Sequence, residues 1–228
     1  MRKSSVVLLS AGLDSTVNFY AAMNETDVKL ALTFDYGQKA APKEIERSKM
    51  IANLLGVPHK IVELPWLKDL GASALTQDRM AIPAGKSALE NPSMSVQTAK
   101  AVWVPNRNGV FLNIAASFAE SLHAQLIVPG FNREEATTFP DNSLDFIRSA
   151  RKAFSYSTAN HVDVQCYTIA MAKNEIVDLG KKMRVPFESI WPCYQARDRW
   201  CGECESCERS KRAFKMAGLD FNYLYERY

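Results

Sequence analysis

Near the start of the chain lies the sequence Ser5-Val6-Val7-Leu8-Leu9-Ser10-Ala11-Gly12-Leu13-Asp14-Ser15-Thr16. Its first five residues are typical of a buried strand, and a helical pattern begins at residue 15 and continues to about residue 23. The residues between are small or polar, so we expect a sharp turn whose backbone N–H groups can approach a ligand closely. This strand, turn and helix form the first unit of an α/β fold.

The same alternation continues along the chain. Further strands are predicted at 28–34, 59–64, 125–128 and 163–167, and further helices at 42–55, 110–123 and within 142–157. Because strands separated by helices need crossover connections, we expect a doubly wound, mostly parallel sheet with helices on both faces. Ligands of such sheets bind beyond the carboxyl ends of the strands, and the turn at 10–16 lies at such an end.

Composition narrows the class of protein. The chain has 228 residues, 47% of them apolar, which is enough to bury the core of one globular domain over residues 1–228. Its longest apolar runs stay short of the ~20 residues of a membrane-spanning helix. A net charge of +3 permits an anionic substrate but does not by itself indicate a nucleic-acid partner, and none is expected. The chain opens with Met1-Arg2-Lys3 and then a strand, which is unlike a signal peptide, so we expect a cytoplasmic protein.

The cysteines are concentrated in the C-terminal part, at Cys193, Cys201, Cys204 and Cys207. Their C-x7-C-x2-C-x2-C spacing predicts one structural zinc ion, held by four thiolates in the segment 190–215. A closed thiolate shell leaves no open position for catalysis, so the metal is expected to brace a loop. A CxxC redox pair and a disulfide framework are the alternatives. The remaining Cys166 lies in an alternating apolar run that is typical of a core strand.

The turn at residues 10–16 is the candidate phosphate site. Small residues allow backbone N–H groups to approach an anion, and the N-terminus of the following helix adds roughly half a positive charge. Ser10, Ser15 and Thr16 add hydroxyl donors. An acidic residue such as Asp14 suits a phosphate site if it binds a magnesium ion or accepts hydrogen bonds from the loop backbone. A simple capped turn between a strand and a helix is the alternative.

Several motifs resemble a known family. The sequence Ser10-Ala11-Gly12-Leu13-Asp14-Ser15 resembles the SGGxDS pyrophosphatase loop of the adenine nucleotide alpha-hydrolase superfamily, whose members split ATP between its alpha and beta phosphates. Further motifs extend the resemblance to the 7-cyano-7-deazaguanine synthase family over nearly the whole chain. They are Phe34-Asp35-Tyr36-Gly37-Gln38, Val104-Pro105-Asn106-Arg107-Asn108 and the terminal C-G-x-C-x-x-C block.

Two features depart from the pattern of that family. Ala11 replaces the usual glycine of the loop, a change that is tolerable if the position needs no positive φ. The family's tract D-x-S-G-Y-P-D-C-R differs from residues 134–143 here, although Asp141 still follows a proline. Because this tract differs, the family pattern does not predict the detailed substrate contacts of this chain.

The resemblance implies a reaction and its cofactors. Enzymes of this family are ATP-dependent ligases that convert 7-carboxy-7-deazaguanine and ammonia to 7-cyano-7-deazaguanine, a precursor of queuosine and archaeosine. The reaction passes through an adenylated carboxylate and an adenylated amide, and it uses ATP with magnesium. The implied nucleotide-binding residues are Leu8, Leu9, Ser10, Ala11, Gly12, Leu13, Asp14, Ser15, Thr16, Val17, Asn18 and Asp35. A homodimer is also implied.

Roles follow for individual side chains. The catalytic candidates are Asp14, Ser15, Arg107 and Lys173, and the substrate-binding candidates are Arg107, Phe131, Phe139 and Asp141. Arg107 follows an X-Pro step and could reach a carboxylate or phosphate, with a surface ion pair as the alternative. Lys173 opens a helix, where a cation indicates an anionic neighbour. For Asp35 the alternative is a helix cap. The long segment 66–108 is a candidate lid over the pocket.

Two other functions remain as alternatives. A pyrophosphatase-loop enzyme that thiolates or amidates tRNA could use the same turn, because thiolation also begins by adenylating an oxygen. Thiolation usually needs a reactive thiol, and only Cys166 remains if the other four cysteines bind zinc. A noncatalytic zinc protein could instead bind nucleic acid through the basic run Arg209, Lys211, Arg212 and Lys215. The modest net charge argues against it.

Overall fold

The computed structural model describes residues 2–84 and 92–226 and contains a five-stranded sheet. Its strands are β1 (Ser4–Leu8), β2 (Asp27–Asp35), β3 (His59–Glu63), β4 (Leu126–Val128) and β5 (Asp163–Val164). The order across the sheet is β3-β2-β1-β4-β5, and each neighbouring pair is parallel. The chain therefore winds outward from β1 in both directions. This confirms the predicted doubly wound sheet and puts its switch point beside β1.

Helices connect the strands and continue after them. They are α1 (Leu13–Glu25), α2 (Ala41–Leu54), α3 (Pro92–Val102), α4 (Arg107–Ser121), α5 (Arg133–Ala136), α6 (Leu144–Ser157), α7 (Lys173–Lys182) and α8 (Glu205–Met216). Helix α1 begins before the predicted residue 15, because the extended residue that precedes it is Gly12. Helix α4 begins before the predicted residue 110, directly after Asn106 in the left-handed region. Among the helices described, none is long and apolar enough to cross a membrane.

Two apolar cores lie on opposite faces of the sheet. Successive residues of β1 point to opposite faces, so Val7 packs with α1, α7 and α8, whereas Val6 packs with α4 and α6. The first core also contains the four C-terminal cysteines, and the segment that carries them therefore packs on the α1 side of the sheet. Helices cover both faces, as predicted. The carboxyl ends of the strands are where a ligand can enter.

The candidate lid at 66–108 contains regular structure. It includes most of a 3-10 turn, Pro65–Asp69, and all of α3, while residues 85–91 lie outside the described part of the chain. The Ala74 amide donates to the Ala101 carbonyl at 2.7 Å, which joins the two described parts of the segment. Leu75 and Val102 reach the cleft at the carboxyl edge of the sheet. The segment therefore contributes a wall of that cleft, and its action as a lid stays a prediction.

Candidate active site

The turn after β1 has a strained backbone at Ala11. Its φ of 56° lies in the left-handed region that glycine adopts readily, and the residue is fully buried. Alanine was expected to be tolerated at position 11 if the position needed no positive φ. The φ of 56° shows that this condition is not met. The Ala11 carbonyl oxygen accepts a hydrogen bond from the Trp191 amide at 2.7 Å. The segment before the cysteines therefore helps to hold the turn in this conformation.

Hydroxyl groups and one glycine shape the entrance to α1. The Ser15 hydroxyl donates to the Gly12 carbonyl at 3.2 Å and lies 3.2 Å from the Ser10 hydroxyl. Gly130, which follows β4, lies so close to the first turn of α1 that a Cβ on it would be 2.6 Å from the Ser15 backbone nitrogen. The ends of two neighbouring parallel strands thus meet the first turn of α1. The N–H groups of a first helical turn lack intrahelical partners and favour an anion.

Lys173, the first residue of α7, lies between two carboxylates. Its ammonium nitrogen is 2.6 Å from Asp14 Oδ2 and 2.7 Å from Glu135 Oε1, and its side chain is 6% exposed. Burial alone would lower the pKa of Lys173, but the attraction of Asp14 and Glu135 outweighs it and raises the pKa. At Glu135, partial burial raises the pKa, but Lys173, Arg209 and the hydrogen bond with Asn132 together outweigh it and lower the pKa. The lysine therefore stays positively charged inside the protein.

The other oxygen of the Asp14 carboxylate, Oδ1, is buried and has no hydrogen-bond partner among the described residues. Burial raises the pKa of Asp14 against the attraction of Lys173, so a further cation beside Oδ1 would stabilise the ionised form. Magnesium prefers carboxylate and phosphate oxygens as ligands. Asp14 therefore fits the magnesium ion that would accompany ATP.

A cleft at the carboxyl edge of the sheet collects most of the residues predicted for the site. Those that line it are Leu8, Leu9, Ser10, Gly12, Leu13, Asp14, Ser15, Arg107, Phe131, Phe139 and Lys173. Those that do not line it are Ala11, Thr16, Val17, Asn18, Asp35 and Asp141. The topology thus brings four separate parts of the chain to one surface, as expected for a parallel α/β sheet.

Predicted residues away from the cleft make structural contacts. Asn18 is fully buried and accepts a hydrogen bond from the Tyr167 amide at 2.8 Å. Val17 packs in the core on the α1 side. Asp35 accepts from the Gly37 amide at 3.0 Å, so it stabilises the turn after β2 and does not cap α2. A nucleotide-binding role for these three residues stays a prediction.

Arg107 lies at the start of α4, where it is partly buried against Tyr36. Its Nη1 atom donates to the Tyr36 hydroxyl at 3.0 Å. Burial would lower the pKa of Arg107, but Tyr36 and Asp141 outweigh it and raise the pKa. The arginine is therefore a permanent cation on the cleft wall. Tyr36 also lines the cleft. The motif at residues 34–38 contained it, but the sequence had not predicted a role for this residue in the site.

Aromatic side chains form much of the apolar part of the cleft. Phe34 stacks on Phe111 with ring centres 4.1 Å apart and an angle of 6° between the rings. Phe139 lies parallel to Trp103 at 6.3 Å, with 4° between the rings. Such ring faces can pack against a planar base. The sequence offered no signal for Phe111, because a phenylalanine on a helix is most often a core residue.

Two carboxylates of the cleft were not predicted from the sequence. Glu135 lies in the tract that departs from the family pattern, and no local spacing connects it with Lys173. Glu44 lies in the first turn of α2, where an acidic residue is common for helix stability alone. Gln38 Nε2 donates to Glu44 Oε2 at 2.8 Å, yet burial raises the pKa of Glu44 to about 7.

The four C-terminal cysteines form one buried cluster whose sulfurs all lie within 4.8 Å of one another. Cys201 Sγ and Cys207 Sγ are 3.8 Å apart. Four thiolates bonded to one zinc ion at about 2.3 Å would lie roughly 3.8 Å apart, so the spacing fits. The Gln195 and Cys201 amides each approach Cys193 Sγ at 3.4 Å, a contact that stabilises a thiolate. The cluster could therefore hold a metal ion.

The turn at residues 10–16 is rich in hydroxyl groups and lies beside the buried Lys173 at the switch point of the sheet. This arrangement is typical of a doubly wound α/β protein suited to an anionic ligand. Comparison with known proteins narrows this class. The family model described as Queuosine biosynthesis protein QueC matches residues 4–218, and the chain belongs to that family.

Curated relatives match almost the whole chain. A 7-cyano-7-deazaguanine synthase of Bdellovibrio bacteriovorus is 57% identical over 226 residues, which cover 98% of each chain. The synthase of Desulforamulus reducens is 49% identical over 218 residues, 95% of this chain and 96% of its own. The synthase of Methanosarcina barkeri is 44% identical over 221 residues, 94% of this chain and 95% of its own. The family resemblance predicted from the motifs is confirmed.

Proposed function

We propose that the chain is an ATP-dependent carbon–nitrogen ligase that converts 7-carboxy-7-deazaguanine and ammonia to 7-cyano-7-deazaguanine. One observation carries the proposal: the turn at residues 10–15, Lys173 and Arg107 meet in one cleft, in a chain whose full-length relatives bear the name of that synthase. A helix N-terminus and two buried or partly buried cations suit ATP and a substrate carboxylate. The product is the nitrile precursor of queuosine and archaeosine.

The phosphates of ATP would lie against the turn and the N-terminus of α1. Backbone N–H groups of the turn and the hydroxyls of Ser10 and Ser15 would donate to the β and γ phosphates. Asp14 Oδ1 would bind magnesium, which would offset the charge on the departing pyrophosphate. Lys173, 2.6 Å from the other Asp14 oxygen, adds positive charge at the same place.

The reaction requires activation because a carboxylate is a poor electrophile. The substrate carboxylate attacks the α phosphorus of ATP and pyrophosphate leaves, after which ammonia attacks the carbonyl carbon and AMP leaves. The oxygen of the resulting amide attacks the α phosphorus of a second ATP, and pyrophosphate leaves. Loss of AMP, and of both N–H protons to solvent, then leaves a carbon–nitrogen triple bond. This chain has only to stabilise the pyrophosphate charge, align the reactants and exclude water.

Arg107 and the aromatic residues would bind the deazaguanine acid. We assign the substrate carboxylate to Arg107, because a guanidinium matches a carboxylate in shape and charge. Phe131 and Phe139 line the cleft and would pack against the planar base. Asp141 does not line the cleft, and its role in binding the deazaguanine acid stays a prediction.

The cysteine cluster would hold one structural zinc ion, because four thiolates close its shell. Residues 1–228 would then act as one ATP-pyrophosphatase-type domain with the metal-braced segment 190–215. A cytoplasmic location suits both the reduced thiols and the substrates. The homodimer implied by the family resemblance can be tested by sedimentation of the purified protein at several concentrations.

Release of AMP tests the proposed function. Purified protein with ATP, magnesium and ammonium should form AMP only when 7-carboxy-7-deazaguanine is present, and mass spectrometry should detect the nitrile in the same reactions. AMP release that requires tRNA would indicate a tRNA-thiolating or tRNA-amidating enzyme. The absence of AMP with either substrate would favour a noncatalytic zinc protein. Each of these two results would overturn the proposal.

A further inference from the structure

An ion network joins α8, the helix that follows the cysteines, to the cleft. Arg209 is 6% exposed and donates from Nε and Nη2 to Glu205 Oε1 at 3.1 and 2.5 Å. Its Nη1 atom donates to Glu134 Oε1 at 3.1 Å, and Arg212 contacts the same oxygen. Helix α8 begins directly after Cys204, so the positions of both arginines depend on the cysteine cluster.

The network ends beside the phosphate site. Glu134 is the neighbour of Glu135 in α5, and Glu135 holds Lys173 at 2.7 Å. Helix α5 has only four residues, Arg133–Ala136, and none of them is buried. Because so short a helix has no stability of its own, contacts with the rest of the chain decide where Glu135 lies.

Other contacts also hold α5, among them a hydrogen bond from the Arg133 amide to the Met171 carbonyl at 3.0 Å. The Asn132 side chain caps the helix by accepting from the Glu135 amide at 2.9 Å. Arg133 pairs with Glu175 at 3.1 Å, but both side chains are at least half exposed, and such pairs contribute little. The buried Arg209 side chain, held in place by Glu205, is a more rigid partner.

We propose that Arg209 is a positioning residue for the reaction: through Glu134 it holds α5 so that Glu135 keeps Lys173 against Asp14. Without Arg209, the more exposed Arg212 would be left to hold Glu134, whose carboxylate could then compete with Glu135 for Lys173. Metal binding at the cysteines then supports the charge arrangement of the phosphate site as well as the stability of the loop. The inference rests on the proposed catalytic role of Lys173.

Arg209→Gln tests the inference, with Lys215→Gln as the matched control because Lys215 is exposed on the same helix. We expect Arg209→Gln to keep its zinc and to lower kcat for AMP release about tenfold or more, while KM for ATP changes less than about threefold. The effect falls on kcat because Lys173 acts on charge that develops in the transition state. Arg209→Lys should recover part of the loss, and the control should keep the wild-type kcat.

Glu134→Gln disrupts the same network from the α5 side. Glu134 contacts the cysteine segment through Arg209 and Arg212, so the substitution leaves the cysteines themselves unchanged. It should lower kcat as Arg209→Gln does, and the double variant should be no worse than either single variant, because the two residues act as a unit. Amide hydrogen exchange at Arg133–Ala136 should become faster in both variants. Zinc content and unfolding temperature are measured on the same samples.

Results with these two variants can overturn the positioning role in two ways. One is a wild-type kcat in either Arg209→Gln or Glu134→Gln. The other is a loss of activity in Arg209→Gln that is fully explained by lost zinc or lost folded protein, with hydrogen exchange at Arg133–Ala136 unchanged in Glu134→Gln.

Lys173→Met separates failure of this inference from failure of the proposed function. If Lys173→Met still converts the deazaguanine acid at the wild-type rate, the positioning role is overturned and the function stands. If the wild-type protein does not convert the acid, the function is overturned. In that case the exchange rates at Arg133–Ala136 and the affinity for Mg-ATP, measured by calorimetry, still decide whether Arg209 orders the site.

Discussion

The Trp191 amide donates to the Ala11 carbonyl oxygen at 2.7 Å, so the segment before the cysteine cluster is bonded directly to the turn proposed to bind phosphate. Trp191 is 3% exposed and lines the cleft. Lys43 and Arg47 of α2 lie over its ring, 5.6 and 6.0 Å from the ring centre. The C-terminal segment is therefore a wall of the site, and changes in it are expected to reach the turn.

Ala11→Gly should change the stability of the protein little. A left-handed φ costs alanine about 1–2 kcal/mol, whereas glycine loses about 0.5–1 kcal/mol more conformational freedom on folding. Loss of the buried methyl group costs about 0.8 kcal/mol more, so the free energy of unfolding in urea should change by less than about 0.5 kcal/mol. Ala22→Gly, equally buried in the regular part of α1, is the control and should lose about 2 kcal/mol. Equal losses in the two variants would show that Ala11 is not strained.

Gly130→Ala should damage the phosphate site. Its Cβ would lie 2.6 Å from both the nitrogen and the Cα of Ser15, so β4 and α1 would have to move apart. We expect the free energy of unfolding to fall by about 2 kcal/mol and calorimetry to detect weaker binding of Mg-ATP. Gly71→Ala is the control, because its Cβ would meet Pro105 at an ordinary 3.4 Å. Wild-type nucleotide affinity in Gly130→Ala would contradict the expected close packing.

Glu44→Gln should change how stability depends on pH. Burial raises the pKa of Glu44 from 4.5 to about 7, although the hydrogen bond from Gln38 lowers it. A carboxyl group with a raised folded pKa contributes stability that is fully present below its unfolded pKa. That contribution is lost as the pH rises through the folded pKa. Glutamine stays neutral, so the variant should gain about 3 kcal/mol relative to wild type between about pH 4.5 and pH 7.5.

Urea unfolding of Glu44→Gln and wild type at a series of pH values measures that gain. Glu46→Gln is the matched control for removing one negative charge, because Glu46 is on the same helix with its side chain 55% exposed. If the difference in free energy of unfolding between Glu44→Gln and wild type were the same at every pH, the pKa of Glu44 would not be raised.

Lys173→Met should remove activity and lower stability together. It would leave Asp14 and Glu135 without the cation between them, which should cost about 3 kcal/mol in the free energy of unfolding. We expect AMP release to fall about a thousandfold, because positive charge at the departing pyrophosphate is lost. Lys182→Met, exposed in the last turn of α7, is the control. Activity within about tenfold of wild type would exclude a catalytic role for Lys173.

Cys204→Ser should lose the metal. With one of four thiolates gone, zinc content should drop and the unfolding temperature should fall by about 10 °C, because metal binding contributes folding free energy. Cys166→Ser is the control, since its sulfur is outside the cluster and contacts the Phe131 carbonyl. A variant that keeps both its zinc and its unfolding temperature would contradict a structural role for the cluster.

Local patterns in the sequence were sufficient to predict the architecture and the position of the site. The strand, turn and helix at residues 5–23 and the alternation after them predicted the doubly wound parallel sheet, because hydrophobic period and turn chemistry are local properties. The short gaps between Cys201, Cys204 and Cys207 predicted the sulfur cluster for the same reason. The motif at residues 34–38 also indicated the family, although Tyr36 was overlooked as a partner of Arg107.

The arrangement of charge in the cleft became visible only in the folded chain. Lys173 bonds to Asp14 across 159 positions of sequence and to Glu135 in a third element, and no local spacing encodes such a pairing. The positive φ of Ala11 depends on neighbours that arrive from the C-terminal segment. The raised pKa of Glu44 has a similar origin, because burial exists only once separate helices and strands have packed together.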